Sequence, residues 1–208
     1  MSDYSLAVLH FLCAEVMLCG GRPVTVALRP EHGMRVNAAD IEAAITPRTR
    51  AVIINSPGNP TGAVTSAAEL ARIAEVCKQH NIWAISDEVT IRSCLGKRSG
   101  KRLGERQPVA PSIAAVPGMK DRTIVVESLS KTYAMTGWRI GYLLAPEAVI
   151  EQTGKIAELM HSSVNSLAQY AGVAALAGPQ DHVAAMREEY RAKRRSCWTV
   201  WPDARYCA

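Results

Sequence analysis

RAVIINSPGNPTGAVTSAAELARIAEVCKQHNIWAIS, residues 50–86, holds a strand, a turn, a helix and a second strand in that order. Arg50 to Asn55 is a short, apolar, β-branched run that ends in a Pro/Gly/Asn cluster, which reads as a buried strand feeding a turn. Ser66, with Glu69 three residues later, has the form of a capping box. Leu70, Ile73, Ala74 and Cys77 fall on one helical face behind it, and Asn81 can close the helix. Ile82 to Ser86 is the next strand. Working outward, Thr123 to Glu127 (TIVVE) and Ile140 to Ala145 (IGYLLA) are two further short strands. Ala38 to Ile45, Glu147 to Met160, Leu167 to Ala177 and Asp181 to Arg194 carry helical patterns. Strands alternating with helices predict an α/β fold with a mostly parallel sheet.

Composition agrees with a globular chain. Of 208 residues, 48% are apolar, enough for one substantial core. The net charge of +5 is concentrated in two places. Lys97, Arg98, Lys101, Arg102 and Arg106 crowd one Gly-rich segment, and Arg187, Arg191, Lys193, Arg194 and Arg195 crowd another. With no nucleic-acid motif beside them, both are expected to be solvated loop and helix faces. The cysteines Cys13, Cys19, Cys77, Cys94, Cys197 and Cys207 form no C-x-x-C pair and have no His at zinc spacing, so reduced structural thiols are expected. Leu6 to Cys19 is interrupted by His10 and Glu15 and is too short for a bilayer, which leaves a cytoplasmic protein without a membrane segment as the expectation. After Arg195 the sequence SCWTVWPDARYCA shows neither helical nor strand periodicity, as an exposed tail or a shifted reading frame would produce.

Four side chains have the chemistry to hold an aromatic aldehyde cofactor. Lys131 follows the TIVVE strand, and an amine that condenses with an aldehyde must first be neutral, which a partly desolvated, cation-rich surrounding favours. Arg139 offers a planar fork suited to a phosphate dianion. Asp87 lies at the carboxyl end of a strand, where ligand crevices of open α/β sheets form. Its carboxylate can keep a pyridine nitrogen protonated. Asn59, in the SPGNPTG turn, carries an amide that can donate to a ring oxygen, and one of the X-Pro bonds of that turn is a candidate for the cis form. Taken singly, each residue has a plainer reading: a surface lysine, a salt-bridging arginine, a capping aspartate, a tight turn.

Taken in order, NSPGNPTG (55–62), SDEV (86–89) and SLSKTYAMTGWRIG (128–141) resemble the fold-type I pyridoxal-phosphate enzymes of aminotransferase class I and II. The resemblance runs from about Gly20 to Arg195. It implies a three-layer α/β/α large cofactor domain in an incomplete copy, with residues 1–19 matching poorly, residues 196–208 atypical and the small C-terminal domain absent. It also implies pyridoxal 5′-phosphate as cofactor, carried by Lys131 as a Schiff base. Lys131 would shuttle the proton, Asp87 would sit on the ring nitrogen, Asn59 on the 3′ oxygen, and Ser128 and Arg139 on the phosphate. Amino-acid and keto-acid substrates and a homodimer follow from the same likeness. The chain departs from the family where DEVY becomes Asp87-Glu88-Val89-Thr90, which removes a phenol from the ring oxygen. It departs again in the long basic segment Ile91 to Pro108. A related lyase or decarboxylase, or a non-catalytic cofactor-binding remnant, shares the same residues. A DNA-binding regulator built on this domain would carry a helix-turn-helix ahead of it, and none is found.

Overall fold

A computed structural model describes residues 3–6, 10–90 and 109–200. Its six strands are β1 (Asp3–Leu6), β2 (Arg22–Thr25), β3 (Thr49–Asn55), β4 (Trp83–Asp87), β5 (Thr123–Ser128) and β6 (Gly141–Leu144). Seven α-helices accompany them: α1 (His10–Leu18), α2 (Ala38–Ala44), α3 (Ala67–Gln79), α4 (Leu129–Thr132), α5 (Glu147–His161), α6 (Ser166–Ala177) and α7 (Asp181–Val200). The sheet order is β2-β1-β3-β4-β5-β6. Every neighbouring pair is parallel except β5 and β6. The chain therefore winds outward one way from β1 to β2 and then the other way from β3. That reversal makes the carboxyl edge beside β1 and β3 a switch point, where open α/β sheets form their crevices.

β3 is central, and its run from Ala51 to Ile54 is buried on both faces, as a strand covered on both sides requires. Val52 and Ile54 join Ile41 of α2, Leu70, Ile73, Ala74 and Cys77 of α3, and Ala84 of β4 in one core cluster. The α3 face read from periodicity is thus the face that packs. Burial pushes the Cys77 thiol up to about 12, against the smaller opposing pull of the Arg122 charge. It is an inert core group. Cys13, Cys19 and Cys197 are also free thiols, while Cys94 and Cys207 lie outside the described residues.

The capping box at α3 is half formed. Ser66 Oγ accepts from the Glu69 backbone N–H at 3.2 Å, but the Glu69 carboxylate turns away from Ser66. Glu69 Oε1 accepts from the Ala38 N–H at 2.7 Å, and Oε2 pairs with Arg72. Asn37 Oδ1 takes the N–H groups of Ala39 and Asp40, and the Asn37 carbonyl takes that of Ile41. All four opening donors of α2 are thereby satisfied, one of them by a side chain 31 residues further along the chain.

Three expectations need correction. β1, α1 and β2 carry no signal read from the sequence, because each strand is four residues long and α1, mostly apolar apart from His10 and Glu15, has no distinct polar face. α7 continues through Val200, past the loss of periodicity at Arg195. There Ser196 Oγ and Thr199 Oγ1 donate to the carbonyls four residues back, so the hydroxyls bond within the helix and do not compete with it. In the second basic cluster, Arg187 and Arg191 are 6% and 7% exposed and lie on one stripe with the buried Val183, so that face is not simply solvated. The first cluster falls outside the described residues. α5 buries none of its residues. Ile156, Leu159 and Met160 of α5, with Leu167, Tyr170 and Val173 of α6, leave large apolar side chains exposed.

Candidate active site

The ends of β3, β4 and β5 define one edge of the sheet. Asn55, the last residue of β3, is paired in register with Asp87, the last of β4, and Asp87 with Val126 of β5. β5 runs two residues further, to Ser128, which pairs with Gly141 of the antiparallel β6. Because β6 is reversed, it begins at the edge where β5 ends. The link from Leu129 to Ile140 therefore stays at that edge and carries Ser130, Lys131 and Arg139 with it. Gly141 permits this close return: a Cβ there would sit 2.5 Å from the Glu127 carbonyl oxygen.

The turn after β3 is tightly cross-braced. Both Ser56–Pro57 and Asn59–Pro60 are cis, where one such bond is expected from sequence. The Gly58 N–H donates to the Ala63 carbonyl and the Gly62 N–H to the Gly58 carbonyl, each at 2.8 Å. Gly62 has a φ of +68°, which glycine adopts without strain. The buried Ser56 Oγ accepts from the Thr65 N–H at 3.0 Å. Thr90 Oγ1 donates to the Pro57 carbonyl at 3.2 Å, so the hydroxyl standing where a phenol is expected ties the turn to the end of β4. Asn59 is exposed at the rim of this turn.

Asp87 is half-buried. Its Oδ2 accepts from Asn55 Nδ2 at 2.8 Å, and its Oδ1 accepts from the Val89 N–H at 3.2 Å. Glu88 is 4% exposed. Its Oε1 accepts from Ser86 Oγ at 2.8 Å and from Ser112 Oγ at 2.5 Å. Burial raises the Glu88 carboxyl above the usual glutamate value, the two hydroxyls oppose that, and the Asp87 charge adds to it.

Ser128 closes β5 and caps the short α4. Its Oγ accepts from the Ser130 N–H at 3.1 Å and lies 2.9 Å from Ser130 Oγ and 3.3 Å from the Ile140 carbonyl. The hydroxyl is therefore at the start of α4, where it takes the Ser130 N–H while the Leu129 N–H goes to the Ile140 carbonyl. α4 is held from behind by the buried Leu129 and by Gly172 of α6, where an added Cβ would meet Ile140 Cδ1 at 3.0 Å and Leu129 Cδ2 at 3.4 Å. Tyr133 Oη donates to Gln180 Oε1 at 3.0 Å, and the Tyr133 ring lies 5.9 Å from that of His182. Lys131 itself is exposed, so the partial desolvation expected around it is not supplied by the described residues. Arg139 is exposed too, with a left-handed backbone (φ +50°), and its guanidinium donates to the Thr136 carbonyl at 3.1 Å.

An aminotransferase class I and II family model matches residues 14–199. The chain belongs to this family. It is 42% identical over 176 residues to an arginine–pyruvate transaminase of Pseudomonas aeruginosa, covering 85% of this chain and 42% of the relative. It is 38% identical over 176 residues to an aspartate aminotransferase of Geobacillus stearothermophilus, with the same coverage of 85% and 42%. Among solved structures, an aromatic aminotransferase from Pyrococcus horikoshii superposes with a TM-score of 0.83 at 35% identity, over 95% of this chain and 52% of that one. The N-succinyldiaminopimelate aminotransferase of Mycobacterium tuberculosis gives 0.82 at 34%, over 94% and 49%. The chain thus spans less than half the length of these curated relatives. The three-layer, mostly parallel α/β architecture expected of an incomplete family copy is the one found.

Three contacts at the candidate site were not read from sequence: those of Asn55, the Ser86–Glu88–Ser112 cluster and the Thr90–Pro57 tie. Asn55 and Glu88 stand inside motifs that are visible in the sequence. Their roles depend on strand register and on a loop 24 residues away from Glu88, which no local pattern encodes.

Proposed function

We propose that this chain is the cofactor-holding part of a pyridoxal-phosphate-dependent aminotransferase that converts an amino acid to a keto acid. Convergence of Asn59, Asp87, Ser128, Lys131 and Arg139 on one sheet edge carries the reading. The donor set fits the group: an amine for the aldehyde, a carboxylate for the ring nitrogen, an amide for the 3′ oxygen, and a hydroxyl with a guanidinium for the phosphate. Bound there, the cofactor supplies a pyridinium ring that takes up the electron pair left at the substrate Cα. Asp87 keeps the ring nitrogen protonated by ion pairing, oriented by the Asn55 and Val89 donors. Asn59 donates to the ring oxygen, with no phenol at residue 90 to share the task. Ser128 and Arg139 would hold the phosphate, one through a hydroxyl and the other through a guanidinium. Lys131 Nζ would hold the cofactor's aldehyde carbon, and as a free amine it would be the base for the proton at the substrate Cα.

The test is to add pyridoxal phosphate, reduce with borohydride and locate the modified peptide by mass. Label on Lys131 is expected; label elsewhere, or none, overturns the assignment. Keto acid and pyridoxamine phosphate from an amino-acid panel would support transamination, whereas pyruvate with ammonia would mean a lyase. Exposure of Lys131 favours a second reading, a cofactor-binding module without turnover. That reading predicts label on Lys131 but no keto acid. A cytoplasmic homodimer completes the proposal. Among the described residues no helix is long and apolar enough to cross a membrane.

A further inference from the structure

Asn55 ends β3 directly opposite Asp87. Its Oδ1 accepts from the Asn59 backbone N–H at 2.7 Å, and its Nδ2 donates to Asp87 Oδ2 at 2.8 Å. The partners fix which way the amide faces. A backbone N–H can only donate and an ionised carboxylate can only accept, so the oxygen must face Asn59 and the nitrogen Asp87. Of the two bonds, the one to the carboxylate is charge-assisted and the stronger. One short side chain thereby joins the carboxylate at the end of β4 to the turn that follows β3.

We propose that Asn55 is a positioning residue that couples Asp87 to Asn59. It turns the Asp87 carboxylate and, through the Asn59 N–H, holds the segment that carries the Asn59 amide. The ring-nitrogen partner and the ring-oxygen donor are then kept at one spacing by a single group that touches neither ring atom. This inference rests on the pyridoxal-phosphate reading above. Asparagine alone fits the task at this stem length, because the site needs one acceptor and one donor on the same planar head. Aspartate has the same shape and keeps the acceptor, but it sets a second carboxylate against Asp87.

The experiment titrates the full chain with pyridoxal phosphate, following cofactor absorbance, for the native protein, Asn55→Ala and Asn55→Asp. Borohydride labelling of Lys131 and a melting temperature are read for each. Asn55→Ala is expected to raise the Kd about tenfold, the loss of one charge-assisted hydrogen bond. Asn55→Asp is expected to raise it further, to about a hundredfold, from like-charge repulsion at hydrogen-bond distance. A side chain that only filled space would give the opposite ranking, with the near-isosteric Asp closer to native than Ala. That ranking, or two unchanged variants, in a native chain labelled on Lys131 overturns the role of Asn55 and leaves the cofactor assignment standing. A native chain that takes no label on Lys131 overturns the assignment and this inference with it. Should Asn55→Asp fail to fold, an unaltered Kd for Asn55→Ala is sufficient to overturn the coupling.

Discussion

Glu69→Ala separates the two ends of an unusual cap. The Glu69 carboxylate receives the Ala38 N–H at 2.7 Å in a buried setting, 31 residues away in sequence, and its other oxygen meets Arg72. Truncation leaves the Ala38 N–H buried without an acceptor, which costs about 1–3 kcal/mol. Loss of an acidic group from the first turn of α3 adds roughly 0.3–1 kcal/mol. The Arg72 pair adds little, because the Arg72 side chain is 70% exposed and solvent screens it. The expected total is about 2–3 kcal/mol, and a domain of this size shifts by roughly 2–4 °C per kcal/mol. Urea titration and thermal unfolding of Glu69→Ala and Glu69→Gln provide the assay. Gln keeps a carbonyl for Ala38 and is expected to lose about 1 kcal/mol or less. Equal losses for the two variants would show that charge and not the hydrogen bond to α2 matters. A costless Ala would refute the cap altogether.

Gly141→Ala places a methyl 2.5 Å from the Glu127 carbonyl, so β6 must shift. A loss of about 1–3 kcal/mol is expected, with weakened trapping of pyridoxal phosphate at Lys131 because the link at the sheet edge moves. For Glu88, burial raises the folded carboxyl above the ordinary value of 4.5. The stability it contributes is thus fully present below that value and is lost as pH rises through the raised one. Unfolding free energies of Glu88→Gln minus native should climb with pH over that interval and then level off; a flat difference from pH 4 to 8 would count against the burial argument. Cys77, pushed up to about 12 and buried, should resist alkylation at pH 8 in the folded chain while the exposed Cys19 and Cys197 react. Mass mapping of the modified peptides checks this, and early labelling of Cys77 would contradict it.

The central elements were legible because their signals are local. Arg50 to Asn55 is apolar throughout because β3 is covered on both faces, and the α3 stripe of Leu70, Ile73, Ala74 and Cys77 is the core face. Asp87, Lys131 and Arg139 were legible as a group only through the order of their motifs; the reversal of β6 that brings Arg139 to the edge of Asp87 is a matter of topology. β1 and β2 escaped because four residues carry too little pattern. Helix past Arg195 was not legible because apolar periodicity stops there, while the Ser196 and Thr199 hydroxyls bond backward to Ala192 and Arg195 and so fit within the helix. Asn55 and Glu69 were visible residues with the wrong partners assigned or none, since each acts across more than 30 positions of chain.

The reversed β6 also joins two kinds of change that a parallel crossover would keep apart. A parallel crossover would have sent the chain back to the far edge through a helix before returning it. Here the link between β5 and β6 stays at the rim, so Lys131 and Arg139 travel on one short piece of chain, which Leu129 and Ile140 pack against α6. Lengthening or shortening that piece alters the distance between amine and guanidinium and the packing beneath it together. Placement of these side chains and stability of the fold are therefore not adjustable separately along this link.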